Sequence, residues 1–453
     1  MLNSIFRTAV STMCFGAGVL SCHTQVTQTH IRPMVPKVSY KSEYKAVTAL
    51  PRTDGRLNSY VAFAMHNSPE LRASFETWRA KRLESSEVGA LPNPTINFGY
   101  FVRSVETRTG PQRYKISVSQ MIPWPSKLSA REESSSLVAG SAALEVDETL
   151  LSLKRSIVHA YWDLWLIEEQ HRLNKQHDTL LDTLSKTIQG RLKTGNTSLA
   201  DASQIELKVA RHHDHLGGYE ERKAKAVAAM LSVLGAKESI ETPKISETPI
   251  VRLPKLSRET ILALLDDVPS LKRLDVLSLS QERLADAKRA SGYPDLMVGV
   301  QWIGVEDSVP QAVLNSGQDA WLVSAGFSLP LWRGRVSDAE AAAKAHARSY
   351  KARSQAVKRI LEERVTAQLA TIRDTHRRAT LFQGTLIPQA ETTFKAVLGS
   401  IQTGLGNTAT LLLAEQDLID LKHEQARIKA AHEKAWASVE ALVGKTLDAK
   451  EKR

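Results

Sequence analysis

Two short stretches decide the fold: Asn93-Pro94-Thr95-Ile96-Asn97-Phe98-Gly99-Tyr100 and, 200 positions later, Tyr293-Pro294-Asp295-Leu296-Met297-Val298-Gly299-Val300. In both stretches a proline is followed by apolar residues at every second position, and a glycine occupies the same place. Apolar residues at alternate positions predict a β-strand with two unlike faces. The shared positions of proline and glycine indicate that the same strand occurs twice in the chain.

Further landmarks repeat in the same order around these strands. The signals for helices, strands and turns occur in the same order in both copies. Each copy is therefore predicted to consist of a helix, a strand, a loop, a strand, a long helix, a turn and a helix. Four landmarks in one order indicate an internal duplication and a mainly α fold with a small β part. The additional matched pairs are Ser68-Pro69-Glu70-Leu71 with Val268-Pro269-Ser270-Leu271, Ile122-Pro123-Trp124 with Leu329-Pro330-Leu331-Trp332, and Thr194-Gly195 with Thr403-Gly404.

The duplication sets the predicted boundaries. A first repeat at 57–242 is joined by a proline-containing linker at 243–256 to a second repeat at 257–447. We expect a signal peptide at 1–21, an extended segment at 22–56 and a charged tail at 448–453, with polar loops at 103–113 and 303–319. The predicted strands are about 94–102, 114–122, 295–303 and 320–329, and the predicted helices are about 128–193, 197–236, 336–402 and 407–446.

The long helix of each repeat is predicted to form a coiled coil, because apolar residues recur every seven positions in the first one. Polar His171, Asn174 and Asp178 interrupt this seam in the middle of the helix. In the second long helix, Pro388 should kink or loosen the chain near Gly384, because proline has no N–H and its ring clashes with the preceding turn. The heptad residues of the first helix are Leu153, Ala160, Ile167, Leu181 and Ile188.

The composition is that of a folded protein without cysteine chemistry in its body. Of 453 residues, 42% are hydrophobic and 24% charged, which is enough for a large core. The net charge of +11 is spread over a long chain, so it does not indicate a nucleic-acid partner. The two cysteines, Cys14 and Cys22, both lie near the start, which excludes a disulfide framework and a cysteine-rich zinc fold.

The N-terminus carries an export signal. One positive charge precedes the short, mostly apolar stretch Thr8–Leu20, which is typical of a signal peptide. The following Val19-Leu20-Ser21-Cys22 resembles the lipobox of bacterial lipoproteins, which implies that Cys22 is acylated and that His23, being no aspartate, permits sorting to the outer membrane. Ordinary signal cleavage is the alternative, since Leu20 stands where lipoproteins usually have a small residue.

The predicted strands have the right length to cross a membrane. Beyond residue 22 no stretch of 18 apolar residues occurs, so any membrane span must be β-structure. Four strands are too few to close a barrel without free edges, whereas three chains give 12 strands and an interior channel. A soluble sheet with tryptophans in its core is the alternative. The tryptophans at the ends of the strand pairs, typical of membrane interfaces, are Trp124, Trp302, Trp321 and Trp332.

Several motifs carry a family resemblance. They are Ala90-Leu91-Pro92-Asn93-Pro94, Gln120-Met121-Ile122-Pro123-Trp124-Pro125, Phe327-Ser328-Leu329-Pro330-Leu331-Trp332, and Thr403-Gly404 followed by Leu413-Ala414-Glu415-Gln416. With the duplication, the mature chain resembles the TolC family of outer-membrane efflux proteins, in its lipoprotein branch. The resemblance implies a homotrimer with a 12-stranded outer-membrane β-barrel and a long periplasmic α-barrel of coiled-coil helices. It also implies an anchor in outer-membrane lipid.

The same resemblance implies a function and partners. Such a channel passively conducts substrates that an inner-membrane pump delivers through a periplasmic adaptor, in a tripartite efflux pump or a type I secretion system. The implied pump is of the resistance-nodulation-division (RND) type rather than the ATP-binding cassette (ABC) type. No cofactor is implied, and the chain is predicted not to be an enzyme.

The two helical turns are predicted to lie far from the membrane. Gly195 and Gly404 can take the left-handed conformation that ends a helix. The resemblance implies that the adaptor docks on these tips and that they narrow the channel into a gate, with Asp201 at an acidic gate position. At Gly406, Thr410 and Leu413 the sequence lacks the arginine and the two acidic residues of some family members, so packing is expected to hold this gate. The predicted tip residues are Thr194, Gly195, Asn196, Thr197, Thr403, Gly404, Leu405 and Gly406.

Other functions have weaker support. His212 and His215 lie about one helical turn apart and are weak candidates for metal ligands, although a solvated helix face is the simpler interpretation. No glycine-rich phosphate loop or nucleophile elbow occurs. A periplasmic coiled-coil adaptor or a structural lipoprotein without a channel remains as the alternative. An adaptor has one helical hairpin between β-domains, whereas this chain has two tandem units.

Overall fold

The computed structural model of the chain describes residues 54–236, 242–308, 314–403 and 406–448. The predicted signal peptide, Cys22 and the tip residues Gly404 and Leu405 lie outside the described residues. The described part is mainly helical and contains one four-stranded antiparallel sheet. The predicted fold class, mainly α with a small β part, is therefore confirmed.

The first repeat begins with two short helices, α1 (Leu57–Asn67) and α2 (Pro69–Val88). Ser68 separates them and caps α2, because its hydroxyl accepts a hydrogen bond from the backbone N–H of Leu71. The proline that follows fits the first helical position, where no N–H partner is needed. The start of α2 is thus fixed by the Ser-Pro pair.

The strands of the first repeat are longer than predicted. They are β1 (Thr95–Thr107) and β2 (Gly110–Ile122), and a tight turn joins them. The prediction of a loop over 103–113 is therefore wrong, because its polar residues continue the strand pairing beyond a break in register after Tyr100. The long helix α3 (Pro125–Lys193) follows, and its 69 residues extend about 100 Å at about 1.5 Å per residue.

The return from the first turn consists of two helices, α4 (Leu199–Gly217) and α5 (Tyr219–Leu234). The prediction of one helix over 197–236 is therefore wrong. The break falls at the consecutive glycines Gly217 and Gly218, each of which disfavours a helix by about 1 kcal/mol relative to alanine. At the other end, Gly235 stops α5 in the left-handed conformation, with a φ of 69°.

The second repeat has the same order of elements. It begins with α6 (Arg258–Ala263), which a short 3₁₀ turn (Leu264–Asp267) links to α7 (Pro269–Ala290). The strands β3 (Leu296–Val305) and β4 (Ala320–Phe327) follow. As in the first repeat, a proline starts the helix that precedes the strands.

The long helix of the second repeat is interrupted. It comprises α8 (Arg333–Leu381), a π-helical turn (Phe382–Leu386) and α9 (Ile387–Gln402). The π-helical turn lies where the sequence predicted a weak point, because Pro388 cannot donate to the carbonyl four residues earlier. After the second turn, α10 (Thr408–Val443) runs back along α8 and α3.

The sheet joins the two repeats. Its strand order is β1-β2-β3-β4, so the two strand pairs meet at β2 and β3. Ile116 of β2 faces Phe98 on one side and Trp302 on the other, which shows a continuous register across the repeat boundary. The equivalent strand pairs thus form one sheet rather than two.

Buried apolar clusters lie between the helices. One surrounds Tyr161 of α3, a second surrounds Val365 of α8, and a third lies near the turns around Ile188. Helix α10 contributes to all three, for instance through Trp436 in the second cluster and Leu411 in the third. These clusters contain no residue of the described strands, so the sheet lies outside the helical core. None of the helices in the described ranges is long and apolar enough to cross a membrane.

Candidate channel wall and helical tips

The sheet has one apolar face. The pleat and the register place alternate residues of all four strands on the same side, so that Phe98, Ile116, Trp302 and Trp321 form one row. Phe98 is 71% and Trp321 68% exposed. The face covers roughly 400 Å², if neighbouring strands are about 4.8 Å apart and each residue advances about 3.3 Å along its strand. Besides Gln120 and Gly304, it consists of Ile96, Phe98, Tyr100, Tyr114, Ile116, Val118, Ile122, Leu296, Val298, Val300, Trp302, Trp321, Val323, Ala325 and Phe327.

The opposite face of the same sheet is less apolar, and we call it the polar face. One row across it consists of Asn97, Ser117, Gln301 and Leu322, and the neighbouring row contains Ser119 and Ser324. The other large apolar side chains on this face are Met121, Met297 and Ile303. A sheet in a soluble protein buries its apolar face against the core, but here the apolar face is the exposed one. The arrangement suits lipid on one side and water on the other.

Both outer edges of the sheet are open. Among the described residues, no strand pairs with the outer edge of β1 or of β4. Open edges leave backbone N–H and C=O groups unpaired, which is too costly in lipid. The sheet therefore needs partner strands on both sides before it can lie in a bilayer.

The four predicted interfacial tryptophans lie at two levels of the sheet. Trp302 pairs with Trp321 one residue from the loop end of the β3–β4 ladder, whereas β1 and β2 continue beyond this level. Trp124 and Trp332 directly precede α3 and α8, at the helical end, and are 41% and 78% exposed. The structure thus places one pair of tryptophans at the helical end of the sheet and the other pair at the loop end of β3 and β4, and two such levels are typical of aromatic belts at membrane surfaces.

An ion pair fixes the junction between the sheet and the helices. The carboxylate of Asp295, just before β3, accepts hydrogen bonds from Lys127 Nζ at 2.6 Å and from the Trp124 backbone N–H at 3.0 Å. The Trp124 ring stacks on Tyr293, with 5.3 Å between ring centroids. Because the two partners belong to different repeats, these contacts join the repeats where strands become helices.

The first tip is a tight turn held by its own side chains. Gly195 has a φ of 70°, the left-handed conformation that the sequence predicted, and ends α3. Ser198 then caps α4 in a capping box, in which its hydroxyl accepts from the Asp201 N–H and the Asp201 carboxylate accepts from the Ser198 N–H. Hydrogen bonds from Ser198 and Thr197 lower the pKa of Asp201. The predicted gate residue thus also stabilises the turn.

One arginine joins the two tips. Arg191 Nη1 donates to the Ile401 carbonyl at 2.6 Å, and Nη2 donates to the Asn196 carbonyl at 3.2 Å. In the second tip, the Gly406 N–H donates to the Ser400 carbonyl at 2.9 Å, and Asn407 caps α10. The contact of Arg191 with Ile401 crosses from the first repeat to the second. The structure therefore brings the two predicted turns close together within one chain.

A buried polar cluster links the helices near the tips. Glu415 of α10 is 2% exposed, and its carboxylate contacts His177 of α3 and Lys208 of α4. Burial raises the pKa of Glu415, and the hydrogen bond from Lys208 partly opposes that change. Burial, aided by the positive charge of Lys208, lowers the pKa of His177 to about 3. His177 is therefore neutral at pH 7, and the charged partner of Glu415 is Lys208.

The two weak metal-ligand candidates do not form a chelating set. His212 is buried, and its Nε2 lies 3.1 Å from the Asn174 carbonyl and 3.6 Å from the nearer Asp178 oxygen. His212 and His215 both line a groove of about 1020 Å³ between α3, α4 and α10. In the described part of the chain, no group of three or more metal-ligating side chains comes together.

Comparison with known proteins gives the fold. Neither a protein-family model nor a curated protein sequence matches the chain. Among solved structures, it is similar to the outer membrane protein VceC of Vibrio cholerae, with a TM-score of 0.71, 16% identity, and 86% of this chain and 97% of that one covered. The chain has the fold of an outer-membrane channel.

Two channels from other organisms match in the same way. The Campylobacter jejuni CmeC outer membrane channel gives a TM-score of 0.71 at 14% identity, with 86% of this chain and 85% of that one covered. The Neisseria gonorrhoeae MtrE outer membrane channel, in its open state, gives a TM-score of 0.68 at 13% identity, with 92% of this chain and 98% of that one covered. These matches confirm the fold that the resemblance to the TolC family implies for the single chain, long helices with a small four-stranded sheet.

Two features of the tips were not predicted from the sequence. Arg191 shows no local signal, because its partner Ile401 lies 210 positions away. Glu415 had a weak signal, since it is a carboxylate in the apolar surroundings of Leu413-Ala414-Glu415-Gln416. Its partners, however, lie on two other helices, and only the packing of the bundle brings them together.

Proposed function

We propose that this chain is the outer-membrane channel of a tripartite efflux system and that three copies form the conduit. The observation that carries the proposal is the four-stranded sheet with an exposed apolar face, a polar face and two open edges. In the proposed trimer, β1 of each copy pairs with β4 of the next. Twelve strands then close into a barrel with a water-filled interior, and the apolar face contacts lipid.

The helices extend the conduit into the periplasm. Helix α3 is about 100 Å long by helical rise, far more than the thickness of one membrane, and it leaves the sheet at the Trp124 end. Its distal turn and the turn at 403–407 are the proposed docking surface for a periplasmic adaptor. The adaptor would connect the channel to an inner-membrane pump, which we propose to be of the RND type. Acylation of Cys22 would anchor each chain in outer-membrane lipid.

The tips are the proposed gate. Asp201 stabilises the first turn through its hydrogen bond with Ser198, and Arg191 connects the two turns through its hydrogen bond with Ile401. Since the second tip lacks the acidic residues of some relatives of the family, hydrogen bonding and packing would keep it closed. Passage of a substrate then requires the adaptor to move the tips apart.

Disulfide cross-linking between β1 and β4 tests the proposed closure. No cysteine follows Cys22 in the sequence, and the proposed acylation blocks the thiol of Cys22, so the introduced thiols report alone. Asn97→Cys would be combined in turn with Ala320→Cys, Leu322→Cys and Ser324→Cys, which lie along the polar face of β4. We expect one combination to give covalent dimers and trimers and nothing larger after oxidation in native membranes.

A second pair controls for the geometry of the sheet. Asn97 lies directly opposite Ser117 in the same chain, so Asn97→Cys with Ser117→Cys should form only an intrachain disulfide. If that control forms while no β1–β4 combination links two chains, the proposed barrel is refuted. A ladder extending beyond three copies would refute the closed trimer.

A further inference from the structure

One cation lies on the polar face of the sheet without a counter-charge. Over the regular rows of the ladder, from Thr95–Tyr100 of β1 to Ala320–Phe327 of β4, Lys115 of β2 is the one side chain with a formal charge. Arg103 and Glu106 of β1 come after the register break that follows Tyr100. No ion pair among the described residues includes Lys115, so its charge is not neutralised within the chain.

The register shows which face Lys115 occupies. It lies directly opposite Gly99 of β1 and Ile303 of β3, and two residues before Ser117, so it belongs to the polar face. Its stem crosses Gly99, where an added Cβ would come within 2.9 Å of the Lys115 Cε. The glycine therefore gives the lysine side chain room to lie on the polar surface.

Two ion pairs lie at the ends of the sheet. Arg113, where the strands approach the loops, donates from Nε to the Glu306 carboxylate at 2.8 Å. At the helical end, Lys127 pairs with Asp295. These pairs contribute little net charge to the polar face, whereas Lys115 contributes a full positive charge in the row of Ala320, the last row that all four strands share on the side of the loops.

We propose that Lys115 makes the channel select for anions, and that its substrates pass the outer membrane more readily as anionic or zwitterionic small molecules than as cations. The inference rests on the proposed trimeric barrel, in which three copies of Lys115 form a ring. A barrel of 12 strands about 4.8 Å apart, tilted by about 40°, has a radius of about 12 Å. Because the lysine stem lies across Gly99 and does not point straight at the axis, it raises the ammonium only about 4 Å from the wall, which leaves each ammonium about 8 Å from the axis.

That distance is short enough for the ring to act on ions in transit. It lies inside the Debye length of about 10 Å at 0.1 M salt, so the three charges are only partly screened. Coulomb's law in water, with that screening, gives roughly threefold enrichment of a monovalent anion on the axis and equal depletion of a cation. The effect weakens at high salt, as any screened interaction does.

Reversal potentials of purified trimers in planar bilayers test the proposal. Under a tenfold KCl gradient, the wild-type channel should favour chloride over potassium. Lys115→Gln should lower the chloride-to-potassium permeability ratio by about threefold or more, and Lys115→Glu should invert the preference. The same series in an Arg191→Gln background, which weakens the contact between the tips, ensures a measurable current.

The controls separate this inference from the proposed function. Lys81→Gln, an exposed lysine of α2 paired with Glu84, removes the same charge away from the sheet and should leave selectivity unchanged. Heat-modifiable trimer migration shows that each variant assembles. A conducting channel whose selectivity is the same in wild type, Lys115→Gln and Lys115→Glu overturns the role of Lys115 alone. Trimers that carry no current in either background overturn the proposed function instead.

Discussion

Replacing Arg191 by glutamine should open the channel, because this arginine provides a direct contact between the two turns of each chain. Its Nη1 donates to the Ile401 carbonyl at 2.6 Å, and a hydrogen bond from a charged group contributes about 1.5–3 kcal/mol. At about 1.4 kcal/mol per factor of ten, the loss shifts the ratio of closed to open tips about 10- to 150-fold toward open in each chain. The open probability of single channels in planar bilayers measures this shift.

Two variants control for this prediction. Arg191→Lys keeps the charge but offers one ammonium in place of the planar fork, so its open probability should lie between those of wild type and Arg191→Gln. Arg172→Gln removes an arginine from the same helix whose partner is Glu169, one turn away, and should leave gating unchanged. An open probability of Arg191→Gln equal to that of wild type would show that the contact does not hold the tips closed.

Three further predictions concern stability and anchoring. Glu415→Ala should destabilise the helical part by about 3–5 kcal/mol, because Lys208 loses its buried counter-charge, whereas Glu415→Leu with Lys208→Met should recover most of the melting temperature. Burial holds the pKa of His432 at about 4, below the 6.5 of the unfolded chain. Protonation of this residue should therefore contribute about 3 kcal/mol to the loss of stability as the pH drops from 6.5 to 4, and His432→Gln should remove this contribution from melting curves. Cys22→Ser should prevent incorporation of labelled palmitate, and an unlabelled wild-type chain would exclude acylation.

The elements with a strong local signal were predictable from the sequence. Alternating apolar residues in 293–300 predicted β3, because a strand with unlike faces needs that period. The proline at 388 indicated the disturbance at the π-helical turn, since the missing N–H acts within its own helix. The left-handed Gly195 followed equally from local backbone chemistry.

The features that sequence reasoning missed depend on weak or distant signals. The extension of β1 to Thr107 was missed because its polar residues look like a loop until pairing with β2 gives them hydrogen bonds. The break at Gly217-Gly218 was overlooked in a segment otherwise rich in helix formers. The contacts of Arg191 and of Glu415 join residues more than 200 positions apart in sequence, which no local pattern encodes.

Thiol labelling along the strands tests most directly whether one face of the sheet meets lipid and the other lines a water-filled pore. Single cysteines at Asn97, Ser117 and Ser324 on the polar face, and at Phe98, Ile116 and Val323 on the apolar face, would be treated with a membrane-impermeant maleimide in intact outer membranes. We predict that the first three react and the last three do not, so that reactivity alternates between neighbouring residues on each of the three labelled strands. Equal reaction on both faces, or reaction of the apolar face alone, would contradict a sheet that lies between lipid and a pore.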